Sequence, residues 1–246
     1  MKAIILAAGY ATRLYPLTRN FPKGLLKLGG KPILEYILAE IRALPGLDGI
    51  CVVTNDKFYN HFLEWKEESR AEDVTVLNDH TSNDENKLGA IGDINYVIES
   101  LKYDDELFII AGDNFFTFSL SDYYTFYRSK GSDCVCAKEL DDIELLRQVA
   151  VAETDNAGKL ISLEEKPQNP RSDLAVYAAY FYTKETAKLF KTYINEGNNP
   201  DAPGHFPVWL YKRNPVFVYK ISGQCYDIGT PTQYEEVGKM VAEMKR

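Results

Sequence analysis

Hydrophobic residues in the first half of the chain alternate between short continuous runs and helically spaced positions. The first apolar run covers 3–8 and ends at Gly9, which is typical of a buried parallel strand. Similar runs predict further strands at 49–54, 74–77 and 107–111. Apolar residues at helical spacing predict helices over 33–44, around 58–65 and over 88–101. Repeated strand–helix units of this kind predict a mostly parallel sheet with helices on both faces.

Strand-like runs lie closer together in the second half of the chain. They predict strands at 133–138, 149–153, 160–164, 174–182, 216–221 and 224–228, with a hairpin turn at 155–158. Helices are predicted over 184–196, 205–211 and 232–246. The chain contains no internal repeat and no linker-like tract, so we expect one α/β domain over 1–246. Its three-layer sandwich would contain a mostly parallel central sheet extended by antiparallel strands.

The composition is that of a globular protein, because 45% of the 246 residues are hydrophobic and 26% are charged. Lys plus Arg is 28 and Asp plus Glu is 36, so 28 − 36 gives a net charge of −8. That balance argues against nucleic acid as a partner. The charge is uneven, however, since residues 1–34 contain six basic residues and no acid, which leaves 22 − 36, or −14, for 35–246. The net charge therefore argues against a nucleic acid as a partner, but the basic first segment is compatible with binding a nucleotide.

The apolar run at 3–8 is shorter than the roughly 7–15 apolar residues of a secretory signal peptide, so we expect a strand there and not a signal peptide. No stretch approaches the roughly 18 uncharged apolar residues of a membrane span, so we expect no membrane partner. The four cysteines form no CxxC pair, which predicts reduced, buried thiols and a cytoplasmic location.

The first strand leads directly into a loop that is suited to binding phosphate. Gly9 allows a ligand to approach the backbone closely, and Arg13 and Lys23 add positive charge to the backbone N–H groups. The dinucleotide pattern GxGxxG fails, because Ala11 and Leu14 stand where glycines are required. The Walker A pattern fails as well. On these residues alone, a solvated basic loop without a ligand remains an alternative.

Four segments in order resemble the sugar-1-phosphate nucleotidyltransferases, the group of the glucose-1-phosphate thymidylyltransferases and uridylyltransferases. The first reads Leu-Ala-Ala-Gly-x-x-Thr-Arg-Leu-x-Pro-Leu-Thr over 6–18, followed by Pro22-Lys23. The others are Ala-Gly-Asp-Asn at 111–114, Glu-Glu-Lys-Pro at 164–167 and Tyr-Asp-Ile-Gly-Thr-Pro at 226–231. The resemblance covers nearly the whole chain and implies a Rossmann-like (GT-A-like) fold.

The resemblance also implies roles for individual residues. Joining two polyanions requires charge neutralisation, and the family places Arg13, Lys23 and Asp113 at the catalytic centre. Asp113 and Asp227 are implied to hold Mg²⁺, which accepts carboxylates and waters as ligands. The implied nucleotide site comprises Leu6, Ala8, Gly9, Tyr10, Ala11, Thr12 and Arg13, with Ser82, Asn83 and Gly89 on the side of the base. The implied sugar-phosphate site comprises Lys23, Asn114, Glu165, Lys166 and Val176.

The chain departs from the family pattern at several positions. Ala11 stands where a second loop glycine is common, and its small methyl group should still allow triphosphate binding. On the sugar side, Val149-Ala150, Tyr177-Ala178 and Cys225 replace residues common in thymidylyltransferases, which puts glucose in doubt. The 78–90 loop also lacks the usual Gln of the thymine or uracil site.

We therefore expect an Mg²⁺-dependent enzyme that joins a nucleoside triphosphate to a small phosphorylated acceptor and releases pyrophosphate. dTTP or UTP with a hexose 1-phosphate is the favoured pairing. Two alternatives stay open: a cytidylyltransferase acting on phosphocholine or a polyol phosphate, and a non-catalytic regulator that binds nucleotide-sugars. A homo-oligomer is also left open, since many relatives assemble.

Overall fold

Strands and helices alternate along residues 1–244, which are the residues that the computed structural model describes. The strands are β1 (Lys2–Leu6), β2 (Lys27–Leu28), β3 (Lys31–Pro32), β4 (Ile50–Thr54), β5 (Val74–Asn78), β6 (Leu107–Ala111), β7 (Asn114–Phe116), β8 (Asp133–Glu139), β9 (Ala150–Thr154), β10 (Leu160–Glu165), β11 (Leu174–Tyr182), β12 (Val216–Lys220) and β13 (Cys225–Asp227). The helices are α1 (Ile33–Arg42), α2 (Tyr59–Ser69), α3 (Ala90–Leu101), α4 (Leu120–Lys130), α5 (Ile143–Leu146), α6 (Lys184–Ala187), α7 (Leu189–Asn195), α8 (His205–Leu210) and α9 (Pro231–Met244).

A nine-stranded mixed sheet in the order β10-β9-β11-β6-β1-β4-β5 organises the molecule, with β8 paired to β11 and β12 paired to β8. Neighbours among β6, β1, β4 and β5 are parallel. β11 runs antiparallel to β6, β8 and β9, and β10 runs antiparallel to β9. β12 runs parallel to β8. β8, β9 and β12 therefore run in the same direction as β1, and β10 and β11 run in the opposite direction. This arrangement confirms the prediction of a mostly parallel sheet extended by antiparallel strands.

Helices cover both faces of the sheet, as the alternation along β1 requires. Ile4 and Ile5 are fully buried, and adjacent residues of a strand face opposite sides. Ile5 packs in a cluster with residues of α1, α2, α4 and α9. Ile4 packs in a second cluster with residues of α3, α7 and α8. The two clusters make the three layers that the sequence predicts.

The structure differs from the predicted elements in a few places. Helix α4 was not predicted, although Ser119 caps its start by accepting a hydrogen bond of 3.1 Å from the Asp122 N–H. The helix predicted over 184–196 consists of α6 and α7, which meet at Lys188. Helix α3 begins at Ala90 because Gly89 has a φ of 78°, outside the helical region. The predicted end of the last helix, 245–246, lies outside the described residues.

Three of the predicted buried thiols, Cys51, Cys134 and Cys136, are buried, and Cys225 is partly exposed. All four are free cysteines, as expected. Among residues 1–244, no helix combines the length and the apolar character that crossing a bilayer requires. The extent of a single domain over 1–246 stays a prediction.

Candidate active site

The loop that follows β1 is fastened by hydrogen bonds at several points along its length. The Ala7 N–H donates to Val53 O at 2.9 Å, and the buried Asn55 Nδ2 donates to Ala8 O at 2.8 Å. Thr18 Oγ1 donates to Ala11 O at 2.7 Å. These bonds hold the segment between β1 and Thr18 in one shape over the carboxyl end of the parallel strands, where open α/β sheets bind ligands.

Ala11 adopts a left-handed backbone conformation, with φ 47° and ψ 44°. This conformation costs a residue with a Cβ roughly 1–2 kcal/mol, whereas glycine adopts it freely. The geometry therefore gives a physical reason why a glycine is common at this position of the pattern.

Lys23 lies next to both aspartates that the sequence singles out. Its ammonium donates to Asp113 Oδ2 at 2.6 Å and to Asp227 Oδ1 at 3.2 Å. The lysine is only 8% exposed. Its neighbour Gly24 packs so closely on the strand end that a Cβ there would lie 2.9 Å from Gly112 O. A glycine at 24 thus lets the Lys23 turn approach the backbone that carries Asp113.

A two-stranded sheet, β7 with β13, brings the two aspartates to one place. In its antiparallel register Asn114 lies opposite Asp227, and Phe115 lies opposite Tyr226. Asp113 directly precedes β7, so its carboxylate emerges beside that of Asp227. The sequence predicts one strand of this small sheet, β13, within 224–228. It does not predict β7, which follows the central strand β6 after a two-residue turn.

The pair Asp113 and Asp227 fits the ligand set of a Mg²⁺ ion. Both carboxylates already approach one cationic group, the Lys23 ammonium, so a positive charge between them is compatible with the geometry. Within residues 1–244 no group of three or more His, Cys, Asp or Glu side chains could hold a metal. Mg²⁺ does not need one, since it is commonly held by one or two carboxylates together with waters and substrate phosphates.

Two adjoining depressions meet at Asp113. A small cavity of about 120 Å³ lies under the loop and is lined by Leu6, Gly9, Ala11, Arg13, Lys23, Asp113 and Gly229, among others. An open cleft of about 960 Å³ is lined by Asn114, Glu165, Lys166 and Val176 as well as by Arg13, Asp113 and Asp227. The predicted sugar-phosphate residues, together with Leu6, Gly9, Ala11 and Arg13 of the predicted loop residues, therefore surround one continuous site. Ala8, Tyr10 and Thr12 lie in the same loop but line neither depression.

The sugar-side departures from the family pattern lie at the cleft. Val149, Ala150, Tyr177, Ala178 and Cys225 all belong to its lining. The predicted sugar-side residue Lys166 has a φ of 49°, and its N–H donates to Val149 O at 3.0 Å. A non-glycine residue with this backbone conformation is strained, and such strain is concentrated at functional sites.

The predicted base-side residues lie apart from both depressions. Ser82 and Asn83 are exposed, and their N–H groups both donate to Asn86 Oδ1 at 3.1 Å. A Cβ on Gly89 would lie 2.5 Å from Pro200 O, so contact with the chain itself is enough to require glycine there. The base-binding roles of these three residues stay predictions.

Sequence reasoning missed a buried pair of carboxyl groups beside the loop. Asp79 and Asp93 are each only 6% exposed. Asp79 Oδ1 accepts from the Thr81 N–H at 2.7 Å and from Thr81 Oγ1 at 2.8 Å, and Thr81 Oγ1 lies 3.3 Å from Tyr10 OH. Burial, the negative charge of Asp79 and a hydrogen bond to it raise the pKa of Asp93 to about 8. The raised pKa favours the protonated form of Asp93, and within residues 1–244 its Oδ1 has no hydrogen-bond partner.

Gly229 is a further residue of the site. It lies in the Tyr-Asp-Ile-Gly-Thr-Pro segment at 226–231, but the sequence did not reveal its role. A Cβ on Gly229 would lie 3.3 Å from Arg13 Nη2 and 3.4 Å from Gln233 Oε1. The Gly229 N–H donates to that Gln233 oxygen at 2.9 Å. This contact packs the Arg13 guanidinium against the segment that carries Asp227.

Comparison with known proteins gives consistent matches over the whole chain. The family described as "Nucleotidyl transferase" matches residues 2–244. The UTP–glucose-1-phosphate uridylyltransferase AglF of Haloferax volcanii is 26% identical over 246 residues, which are 99% of this chain and 97% of that protein. The bifunctional protein GlmU of Methanocaldococcus jannaschii is 30% identical over 259 residues, which are 99% of this chain but only 55% of that protein. This chain thus spans about half of that longer relative, and 64% of another.

Solved structures share the fold. A UDP-glucose pyrophosphorylase complexed with UDP-glucose superposes with a TM-score of 0.82 at 21% sequence identity, covering 100% of this chain and 99% of that one. At this level of identity the likeness concerns the fold, and it confirms the predicted GT-A-like architecture.

Proposed function

The chain belongs to the nucleotidyl transferase family, and from that premise we propose that it transfers a nucleotidyl group from a nucleoside triphosphate to a sugar 1-phosphate. An oxygen of the acceptor phosphate forms a bond to the α-phosphorus of the triphosphate. The bond from that phosphorus to the bridging oxygen of the β-phosphate breaks, and pyrophosphate leaves. The products are a nucleotide-sugar and pyrophosphate.

One observation carries this proposal: Lys23 Nζ lies within 3.2 Å of both Asp113 and Asp227, at the junction of the loop cavity and the open cleft. Phosphoryl-type transfer depends mainly on alignment and on stabilisation of negative charge. The Lys23 ammonium would stabilise negative charge directly, and the two carboxylates would do so through a bound cation. The loop above them would align the triphosphate.

The residues of the chain would divide this work. The loop 6–13 would bind the triphosphate, with Arg13 on its β- and γ-phosphates. Lys23 would donate to the α-phosphate as charge builds up on its oxygens. Asp113 and Asp227 would hold Mg²⁺, which supplies positive charge to phosphate oxygens when bound. On the other side, Asn114, Glu165, Lys166 and Val176 would contact the acceptor.

The acceptor and the base are open within this proposal. Tyr177, Val149 and Cys225 line the cleft and argue for an acceptor other than glucose. The second candidate is a cytidylyltransferase that acts on phosphocholine or a polyol phosphate, since its acceptor is not glucose. Among the triphosphates, dTTP and UTP remain our first choice.

Pyrophosphate release tests the proposal directly. The wild-type chain is assayed with Mg²⁺ over a grid of five nucleoside triphosphates and several acceptors, including hexose 1-phosphates, phosphocholine and a polyol phosphate. Release with a sugar 1-phosphate supports the proposal, and release only with CTP and a non-sugar acceptor favours the second candidate. If no pairing releases pyrophosphate while a nucleotide-sugar binds tightly, the chain is a non-catalytic regulator and the proposal is wrong.

A further inference from the structure

The segment 199–204, between α7 and α8, contacts Gly89, one of the predicted base-side residues, and also lines the open cleft, which we call the acceptor cleft. We refer to this segment as the clasp. Its first residue is held firmly by the core. Tyr193, which is 2% exposed, donates from its hydroxyl to Asn199 O at 2.7 Å. The Asp201 N–H in turn donates to Asn199 Oδ1 at 3.0 Å. The clasp is therefore an ordered part of the fold that neither periodicity nor any motif singled out.

One end of the clasp covers the start of α3. Pro200 O and Asp201 O accept hydrogen bonds from the Ile91 and Ala90 N–H groups at 2.9 and 3.0 Å. These are donors that a helix start otherwise leaves unpaired. The approach is so close that Gly89 has no space for a Cβ. Lys87 Nζ adds an ion pair of 2.9 Å with the Asp201 carboxylate.

The other end of the clasp forms part of the acceptor cleft. Ala202, Pro203 and Gly204 line it. The Glu165 carboxylate rests on Gly204, where an added Cβ would collide with Glu165 Oε2. Ala202 and Pro203 offer apolar side chains without a hydrogen-bond donor, so they would discriminate acceptors by shape. Any shift of the clasp at Pro200 would move this wall and the support of Glu165 together.

We propose that the clasp, residues 199–204, determines which acceptor the enzyme takes, and that its contact with Gly89–Ile91 links the nucleotide side of the site to that choice. This inference rests on the proposed function. It assigns Gly204 and Ala202 to acceptor specificity, and it assigns to Gly89 an effect on the acceptor although Gly89 lies outside the cleft.

Two glycine substitutions test the link, with pyrophosphate release measured at saturating triphosphate. In Gly204→Ala the methyl group displaces Glu165, and we expect the KM for the acceptor to rise roughly 10–100-fold. In Gly89→Ala the methyl group pushes on Pro200 O, and we expect the acceptor KM to rise as well. Gly238→Ala is the matched control, because its Cβ would meet only Leu28 Cδ2 at 4.0 Å. Its acceptor KM should equal that of the wild type.

A third variant keeps the test decisive if the glycine variants fail to fold. Ala202→Val enlarges a partly exposed side chain at the cleft, and should change the ratio of kcat/KM between a hexose 1-phosphate and phosphocholine by about 10-fold or more. An unchanged ratio overturns the inference. An acceptor KM that rises in Gly204→Ala but not in a folded Gly89→Ala variant overturns the link to the nucleotide side. Wild-type protein that releases no pyrophosphate with any pairing overturns the proposed function itself.

Discussion

Replacing Asp93 by asparagine tests whether a carboxyl group stays protonated beside the phosphate loop. In the folded protein the pKa of Asp93 is raised to about 8, mainly by burial and then by the charge of Asp79. In the unfolded chain an aspartate titrates near its ordinary value of about 4. Between these two values the unfolded state binds fewer protons than the folded state, so stability falls as the pH rises. This one group changes the free energy of unfolding by at most about 1.4 kcal/mol per pH unit.

Asparagine keeps the donated hydrogen bond and removes the titration. In the Asp93→Asn variant the new side-chain amide can donate to Asp79 as the protonated acid does, so the fold should be retained. The difference in unfolding free energy, variant minus wild type, should therefore grow by up to about 4 kcal/mol between pH 5 and pH 8 and then level off. Urea unfolding at five pH values from 5 to 9 measures this difference.

The exposed Asp141 supplies the matched control, since Asp141→Asn makes the same substitution at the surface. Its stability curve should run parallel to that of the wild type. If the Asp93→Asn curve also runs parallel, Asp93 is ionised in the folded protein and the explanation of the buried pair is wrong.

Three further substitutions probe the loop and its neighbours. Ala11→Gly relieves the left-handed backbone and should raise stability by about 1 kcal/mol, or the melting temperature by about 2–4 °C; an unchanged or lower melting temperature would refute the strain. Gly229→Ala crowds the Arg13 guanidinium and should raise the KM for the triphosphate about 10-fold or more, whereas Gly238→Ala should not. Lys23→Met removes the ammonium between the aspartates and should lower kcat about 100–1000-fold at an unchanged far-ultraviolet spectrum. A rate within about threefold of the wild type, roughly the scatter of such assays, would exclude Lys23 from charge stabilisation.

The elements of the first half could be predicted because local patterns encode them. β1 is a continuous apolar run that ends at Gly9, and it forms the centre of the sheet as its composition requires. Helix α4 was within reach of the same reasoning, since Ser119 before it and Gly131 after it are ordinary start and stop signals.

The assembly of the site depends on contacts that local sequence does not encode. Lys23 and Asp227 are separated by 204 positions in the chain, and only the pairing of β7 with β13 brings Asp227 to Asp113. Motif resemblance supplied these residues one by one, without their distances.

Glycines show the same limit of sequence reasoning. Gly89 is predicted to lie on the side of the base, but the group that a Cβ there would meet in the structure is Pro200 O of the chain itself, and its role toward the base stays a prediction. Asp93 was missed for a related reason. Its burial beside Asp79 depends on the packing of α3 against the loop after β5. The helical spacing of the apolar residues around Asp93 does not predict that packing.

We propose Asp113, together with Asp227 and Lys23, as the centre at which pyrophosphate is released. The measurement that tests it most directly compares the rate of pyrophosphate release of the wild type with that of Asp113→Ala and of the exposed control Asp141→Ala, at saturating Mg²⁺ and with the best substrate pair. We expect a loss of at least about 1000-fold for Asp113→Ala and a wild-type rate for Asp141→Ala. Equal rates for all three proteins would contradict it.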